Sequence, residues 1–476
     1  MSIRFLTSWN GYYAQQVVAS VNGSTEAALV AAGIASYSLD GPAPDEGSLV
    51  RVNSTGTALV SGDGVVAVAK FFPESYGTVG AGDDAVAVVA AAAAAALVGG
   101  ALAFVPGKTY TFRNVPLPSG LRQIDARGAT IQYGGIYGTV APLESVAAVM
   151  YADGSSGSPS PSIEIYGGTW IGNQVDGDYR NVTGTESDCL QFSYVAGVKV
   201  IGATFKKFVQ DALTFWHCPG TLVTGCYFED ICDGSVEFRA GASYQVHDNT
   251  FLRVRHMVIN KPNISNVRVT NNTGTTFQQG IGGHGNDWYI AGNTIGVYDT
   301  PDGILGNDYA AIEWSATTLT GYGADVVPTD SYRTVISGNT ILNRTNANGI
   351  HVKATADSYV PYDMTISGNA IASRRCILLD RGAGVAVSGN ALRPGVGGGI
   401  SVTSATPTDV VIANNVIDGV GTSGSGLIDV VTPEINIIGN RIKTTTAGVN
   451  GIRTTSAALR AGIQGNTITV NSGSAI

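Results

Sequence analysis

The sequence has few cysteines, few charged residues and no metal-binding pattern, and each shortage excludes a class of protein. Its five cysteines are odd in number and form no Cys-x-x-Cys pair, so neither a disulfide framework nor a zinc site is predicted. Charged residues make up only 13% of the chain and the net charge is −9, which argues against a nucleic-acid partner. No run of alternating aspartates resembles a calcium loop, so no metal or other cofactor is predicted.

A long hydrophobic leader is also missing. The first residues, Met-Ser-Ile-Arg-Phe-Leu-Thr-Ser-Trp, contain no apolar core of a secretion signal, so a protein acting outside a cell would leave by another route, such as lysis. Residues 85 to 105 are apolar, but alanine and glycine dominate them, and Gly99 and Gly100 are typical of a helix end. No membrane partner is predicted.

Composition and turn signals divide the chain into three parts. Residues 1–47 predict a small ββα module followed by a linker, because Asn10-Gly11 is a hairpin signal and Ser24 begins a helix that ends at Gly33. Residues 48–75 alternate like neck or stem strands around glycine-rich turns. Residues 76–476 form the third part, which begins with a capping helix over residues 84–98.

A short asparagine motif repeats through the third part of the chain. A small residue, then asparagine, then a β-branched or aromatic pair recurs at Asn249, 293, 339, 369, 390, 415, 440 and 466, with Ala203, Cys226 and Asn272 in the same slot. Most spacings are 21 to 26 residues, and the gap of 46 is interpreted as two coils of 23. Such periods are typical of a solenoid, and the short Val/Ile/Thr-rich strands make it an all-β parallel β-helix. Asparagine suits its corner because it tolerates left-handed backbone geometry and can hydrogen-bond the neighbouring coil.

The entry into this region carries a family resemblance. An acidic glycine-rich turn at residues 80–84, an alanine-rich helix and the strand Phe104-Val105-Pro106-Gly107-Lys108-Thr109-Tyr110 resemble the first coil of the pectate-lyase-like right-handed parallel β-helix superfamily. The whole architecture resembles bacteriophage tailspikes and capsule depolymerases. That resemblance implies a homotrimer on the phage virion, attached to a tail or baseplate protein through the N-terminal module and acting on a host surface polysaccharide.

A second strand follows each asparagine corner by about ten residues. Leu190, Leu213 and Val236 repeat at one period, as do the phenylalanines two residues later, so both columns are predicted to point inward. The residues between them then form an outward column of Gln191, Thr214, Glu237, Asn260, Gly282, Glu313 and His351. Trp216, Arg239 and Lys353 are predicted to form a parallel column. Tyrosine-rich insertions near residues 172–186, 298–309, 314–332 and 353–362 would wall the same groove.

Glycoside hydrolysis requires two carboxyl groups, and the second strand supplies candidates. Asp188 and Asp211 stack in register, with Asp233 near the next coil, although all three also suit turn positions. Glu237 and Glu313 lie in mid-strand and could be catalytic or merely solvated. The preferred site pairs Glu237 with Asp211 or Asp233. Glu313 with Asp308 is a second candidate.

Substrate-binding candidates surround these acids. Trp216, Arg239, His256, Asn260, His351 and Lys353 offer an aromatic plate and polar groups for sugar hydroxyls, although the two histidines could simply line the groove. Trp314 is expected in the core. The triplets Gly283-His284-Gly285 and Arg441-Ile442-Lys443 also occur in the polygalacturonase family, but here they lie some six coils apart, so no catalytic residue is transferred from that family.

The sequence therefore predicts a tailspike that depolymerises a capsule or lipopolysaccharide by hydrolysis. A polysaccharide lyase remains an alternative, since Arg239, His256, Lys261 and Lys353 could serve β-elimination. A non-catalytic receptor-binding spike is the other alternative. The chain stops within what resembles a further coil, so another subunit, another protein or processing is expected to account for the open end.

Overall fold

A computed structural model describes residues 66–476, apart from short gaps, and four strand pieces before them. The gaps are residues 81, 136–147, 175–187, 262–263, 299–308, 316–329, 344–346, 354–359, 404–406, 423, 432–433, 455–459 and 472–473. Ser2–Arg4 pairs with Val17–Ala19, and Arg51–Val52, Leu59–Val60 and Val66–Ala67 form an antiparallel sheet. The predicted helix of the N-terminal module, the neck turns and most of the tyrosine-rich insertions lie outside the described residues.

The rest of the described chain is a parallel β-helix, as predicted. Each coil contributes one strand to each of three parallel columns. Lys70–Phe71 already pairs with Ala101–Ala103, so the coils begin a few residues before residue 76.

The strands of the three columns have the following bounds. Column one contains Lys70–Phe71, Ala101–Ala103, Gln123–Asp125, Ile163–Tyr166, Val198–Ile201, Leu222–Thr224, the end of Gly234–His247, Ile264–Thr270, Gly285–Ala291, Val335–Ser337, Thr365–Ser367, Ala386–Ser388, Val410–Ala413, Glu434–Ile438 and Arg460–Gln464. Column two contains Thr109–Phe112, Thr130–Tyr133, Thr169–Ile171, Thr204–Lys206, Tyr227–Glu229, the starts of Thr250–Asn260 and Thr273–Gly283, Thr294–Val297, Thr340–Leu342, Ala370–Ser373, Ala391–Pro394, Val416–Asp418, Arg441–Lys443 and Thr467–Thr469. Column three contains Val115–Pro116, Ala148–Asp153, Asp188–Ser193, Leu213–Trp216, the start of Gly234–His247, the ends of Thr250–Asn260 and Thr273–Gly283, Ala310–Ser315, Asn348–Lys353, Ile377–Leu379, Ile400–Val402, Gly426–Val430 and Asn450–Thr454.

One helix, α1 (Ala85–Leu97), covers the first coil. Its buried alanines and Val88 pack on the end of the core, in agreement with the predicted capping helix. Asp84 accepts hydrogen bonds from the backbone of Gly80 and Thr111 and so fastens the start of α1 to the coil below. No helix in the described part of the chain is long and apolar enough to cross a bilayer.

Stacked apolar side chains fill the interior. Phe192, Phe215 and Phe238 stack with ring centroids 5.7 Å apart, which confirms the predicted inward column. A second stack, Phe205, Phe228 and Phe251, lies in column two. Trp314 is fully buried, as expected. Because identical register brings like residues together in successive coils, each ring packs on the next one about 4.8 Å along the axis.

The repeating asparagines form a buried ladder between columns one and two. Each side-chain amide donates to the carboxamide oxygen of the next asparagine at 2.9–3.0 Å, from Asn249 to Asn466. The left-handed residue is the one before each asparagine, usually glycine, with φ between 56° and 67°. The prediction that asparagine itself takes left-handed geometry was therefore wrong, whereas its hydrogen bonding to the neighbouring coil is confirmed.

The ladder also corrects the coil count. Asn293 bonds directly to Asn339, and Ile295 pairs with Ile341, so the gap of 46 residues is one coil with a long insertion. The interpretation as two coils of 23 was wrong, because an insertion between strands can equal a coil in length.

Candidate functional site

The predicted outward column exists, with one change of register. Gln191, Thr214 and Glu237 pair in successive coils, and Glu237 pairs with Ile259 rather than with Asn260. Further along, Gly282 pairs with Glu313, and Glu313 with His351. Ile259 therefore occupies the slot predicted for Asn260. The carboxamide of Asn260 instead accepts from the backbone N–H of His284 and donates to its carbonyl oxygen.

A β-bulge changes the second predicted column. The register shifts after Phe215, so that Trp216 pairs with Ala240 and not with Arg239. The prediction that Trp216, Arg239 and Lys353 form one column was wrong for this reason. Trp216 is half-buried, and the bulge frees Arg239 to turn back over the carboxyl groups of its own strand.

Glu237 lies at the centre of a buried charged cluster. Its carboxylate accepts from Arg239 Nε at 3.0 Å and lies 2.8 Å from Lys261 Nζ. The Glu237 side chain is only 2% exposed, whereas Arg239 is 23% exposed. An isolated buried carboxylate would be costly, so two cations in contact are what allow it to remain ionised.

Asp188 and Asp211 stack in register beside this cluster. Asp188 accepts from the backbone N–H of Asp211 at 3.2 Å, and Asp211 accepts from that of Gly234 at 2.7 Å. Both carboxyl groups also lie near the hydroxyl of Thr214, at 3.5 and 3.2 Å. Both contacts join an aspartate to the backbone of the next coil, 23 residues away, and Asp211 additionally faces Glu237.

The two central carboxyl groups have opposite acidities. Burial raises the pKa of Asp211 well above its usual range, and the nearby Glu237 carboxylate raises it further. Burial also disfavours ionised Glu237, but a hydrogen bond from Asp211 and the charges of Arg239 and Lys261 outweigh it and lower its pKa to about 2. One proton is thus held on Asp211 and shared with Glu237, an arrangement typical of acid–base sites.

Asp233 is the most accessible of the three aspartates, with its side chain 28% exposed. Burial raises its pKa, although Arg255 opposes the effect. His256 lies 3.7 Å away through Nε2, and burial together with Arg255 and Lys261 lowers the pKa of His256 to about 3. Near neutral pH, His256 is therefore an uncharged neighbour of a carboxyl group whose pKa is raised.

Glu313, His351 and Lys353 form a separate cluster, three coils or about 14 Å from Glu237. Glu313 Oε1 lies 3.5 Å from Lys353 Nζ, and His351 Nε2 lies 2.7 Å from Asp380. Sequence reasoning missed Asp380, which follows the next coil's strand and has no repeated motif. Asp308, the predicted partner of Glu313, lies outside the described residues.

The triplet Gly283-His284-Gly285 has a packing role. A side chain at Gly283 would overlap Trp314, and one at Gly285, where φ is 134°, would meet the carbonyl oxygen of Ile264. Since His284 is buried and its backbone is bound by Asn260, the triplet is explained by close approach of neighbouring coils. Among the described residues, no group of three or more histidines, cysteines and acidic residues fits a metal ion.

The raised pKa of Asp211 predicts a pH dependence of stability. An unfolded aspartate ionises near 3.8, but folded Asp211 keeps its proton to a higher pH because its pKa is raised, so unfolding releases a proton in that window and stability falls as pH rises above 3.8. The slope is at most about 1.4 kcal/mol per pH unit. Because asparagine cannot ionise, Asp211→Asn should remove this downward contribution, so the slope of the urea-unfolding midpoint against pH between 5 and 7 should become more positive than in wild type. Asp418→Asn, at a side chain 59% exposed, is the control. Equal slopes in Asp211→Asn and wild type would contradict the assignment.

Comparison with known proteins identifies the fold but does not assign the chain to a family. No family model matches the chain, and no curated protein matches its sequence. Among solved structures, PfbA, a surface adhesin of Streptococcus pneumoniae, aligns with a TM-score of 0.53 at 16% identity, over 85% of this chain and 91% of that one. A mutant tailspike protein of E. coli bacteriophage HK620, in complex with a pentasaccharide, aligns with a TM-score of 0.53 at 14% identity, over 85% and 79%. At such identities the likeness establishes a shared parallel β-helix.

Proposed function

We propose that the chain is a phage tailspike that binds a host surface polysaccharide and cleaves it by glycoside hydrolysis. The observation that carries the proposal is the pair Asp211 and Glu237, two buried carboxyl groups in contact whose pKa values move in opposite directions. The structural likeness to a tailspike crystallised with a pentasaccharide supports the polysaccharide as substrate class.

In this proposal the carboxyl groups have different roles. An inverting hydrolase holds a water molecule between its acid and its base, so its two carboxyl groups lie about 6.5–9.5 Å apart. The carboxyl groups of Asp211 and Glu237 are in contact and are therefore too close to form that pair. Asp233 is therefore the proton donor to the leaving glycosidic oxygen, since burial raises its pKa and its side chain is 28% exposed. Glu237 accepts a proton from the attacking water. The protonated carboxyl group of Asp211 donates a hydrogen bond to the Glu237 carboxylate. Arg239 and Lys261 keep Glu237 ionised before the reaction.

The second candidate is a spike that binds without cleaving. It is favoured by one observation, the 2% exposure of the Glu237 side chain beneath Arg239 and Lys261. A substrate would have to displace one of these cations to reach the carboxylate.

Incubating the purified chain with host capsule or lipopolysaccharide tests the proposal. New reducing ends would establish hydrolysis. Absorbance near 235 nm from an unsaturated uronate would establish β-elimination and reject the roles assigned above. Retention of the glycan with neither signal would reject cleavage and support the binding spike.

A further inference from the structure

An open cavity of about 670 Å³ lies where column three turns into column one. It spans the same coils as Asp188, Asp211 and Glu237. Its lining residues are Ser156, Pro159, Tyr194, Val195, Ala196, His217, Pro219 and Gly241. It is an open depression of the surface, so a ligand in it would remain partly exposed to solvent.

Aromatic rings form one wall of the cavity. The rings of Tyr194 and His217 stack at 4.7 Å with an interplanar angle of 13°, and Trp216 extends the stack at 6.5 Å. Tyr194 and His217 both have a φ of 52°, a left-handed geometry that costs energy for such side chains. The corner thus holds two rings at the cavity at an energetic cost that glycine would avoid.

Hydrogen-bonding groups accompany these rings. Trp216 Nε1 and His217 Nε2 are buried atoms that have no partner within the described structure. Among the residues that line the cavity, half-buried Tyr194 and His217 carry a hydroxyl and an imidazole, which donate or accept hydrogen bonds. The lining contains no aspartate, glutamate, lysine or arginine. Its prolines, valine and alanine present methyl and methylene groups instead.

The cavity is continuous with the carboxyl cluster through a single strand. Gly241 follows Glu237 by four residues in Gly234–His247, a separation of about 13 Å along an extended chain. A polysaccharide lying along this strand would place a nearby residue of its chain in the cavity while its scissile bond lies at Glu237.

We propose that this cavity binds one uncharged, methyl-bearing sugar residue, an N-acetylated or 6-deoxy hexose, of the same glycan. Apolar walls accept the methyl group, aromatic edges contact the ring, and the polar groups of Tyr194 and His217 bind its polar substituents. A uronic acid is disfavoured because no lysine or arginine lines the cavity. Tyr194 and His217 are then specificity-determining residues. The inference rests on the proposed function for the placement of the glycan.

Saturation-transfer NMR with methyl glycosides tests this site on the full chain. The probes are the methyl glycosides of N-acetylglucosamine, rhamnose and glucuronic acid. Tyr194→Asn and His217→Asn remove the rings while retaining a residue that tolerates left-handed geometry. Tyr227→Asn is the matched control, because Tyr227 is also a half-buried aromatic side chain in contact with a neighbouring coil, with Lys206 Nζ 5.5 Å from its ring, but lies on column two and outside the cavity.

The expected result is saturation of the acetyl or 6-deoxy methyl protons, with a Kd about tenfold weaker in the Tyr194 and His217 variants and unchanged in the control. Preferred binding of the glucuronide, binding unaffected by either variant, or no binding of any probe would overturn the inference. Glycan cleavage is measured separately. Cleavage by a chain without this binding rejects the cavity alone, and binding by a chain that does not cleave rejects only the hydrolase.

Discussion

Replacing Glu237 by glutamine should lower the rate of glycan cleavage by about 10³-fold or more, because the amide cannot accept the proton of the attacking water. The change keeps the size of the side chain and one acceptor oxygen for the contacts with Arg239 and Lys261. Reducing-end release under saturating glycan measures the effect, and binding of the glycan should persist. An unchanged turnover number in a folded variant would contradict the role given to Glu237.

Glu229→Gln is the matched control for loss of a paired carboxylate. Glu229 lies between a lysine and an arginine, 2.9 Å from Lys206 and 2.7 Å from Arg253, on column two and away from the proposed groove. Both variants leave cations beside a neutral amide, but Arg253 keeps Asp230 as a partner, so the thermal midpoint should fall in both and less in Glu229→Gln. Only Glu237→Gln should lose cleavage. A comparable loss of activity in both would attribute the effect to stability rather than to chemistry.

Replacing Asn293 by alanine should lower the free energy of unfolding by about 3 kcal/mol or more. Asn293 donates to the carbonyl oxygen of Val269 and to the carboxamide oxygen of Asn339, and its own oxygen accepts two bonds from Asn272. Alanine removes all four and leaves the Asn272 donors buried beside an apolar methyl group. Urea unfolding followed by far-ultraviolet circular dichroism measures the loss.

Asn436→Ala provides the comparison for the ladder. Asn436 lies on Glu434–Ile438, where it is exposed and outside the ladder, so its replacement should change stability by no more than about 0.5 kcal/mol. Equal destabilisation by the two substitutions would show that the ladder contributes nothing beyond an ordinary strand position.

Much of the fold could be predicted because each coil of a solenoid places the same residue types at the same positions, so the coil length appears in the sequence as a repeat period. The asparagine slot, the inward phenylalanines and the buried Trp314 all follow from spacing and strand alternation. The 46-residue gap could not be divided correctly, since spacing does not distinguish a coil from an insertion. Two further errors came from local shifts of register: Ile259 rather than Asn260 lies beside Glu237, and the strand bulges after Phe215. The repeat in the sequence does not indicate a shift of one residue.

The candidate site was predictable in its members but not in its chemistry. Sequence spacing brought Asp188, Asp211, Asp233 and Glu237 to neighbouring coils, because residues one period apart must stack. It described Glu237 as outward and therefore open to solvent, whereas Arg239 and Lys261 cover it. The cavity beside Tyr194 and His217 was not predicted at all, since Tyr194 and His217 differ in residue type and share only their corner geometry.

The sequence by itself determined the β-helix, its period and the residues that face its core, because these depend on short-range alternation repeated many times. Only the tertiary structure decided which polar side chains touch, which are buried and therefore how their pKa values shift. Those properties depend on long side chains reaching across coils and on single-residue shifts of register. A difference of one residue or a few ångströms changes which groups surround Asp211, and with them its pKa, without altering the repeat.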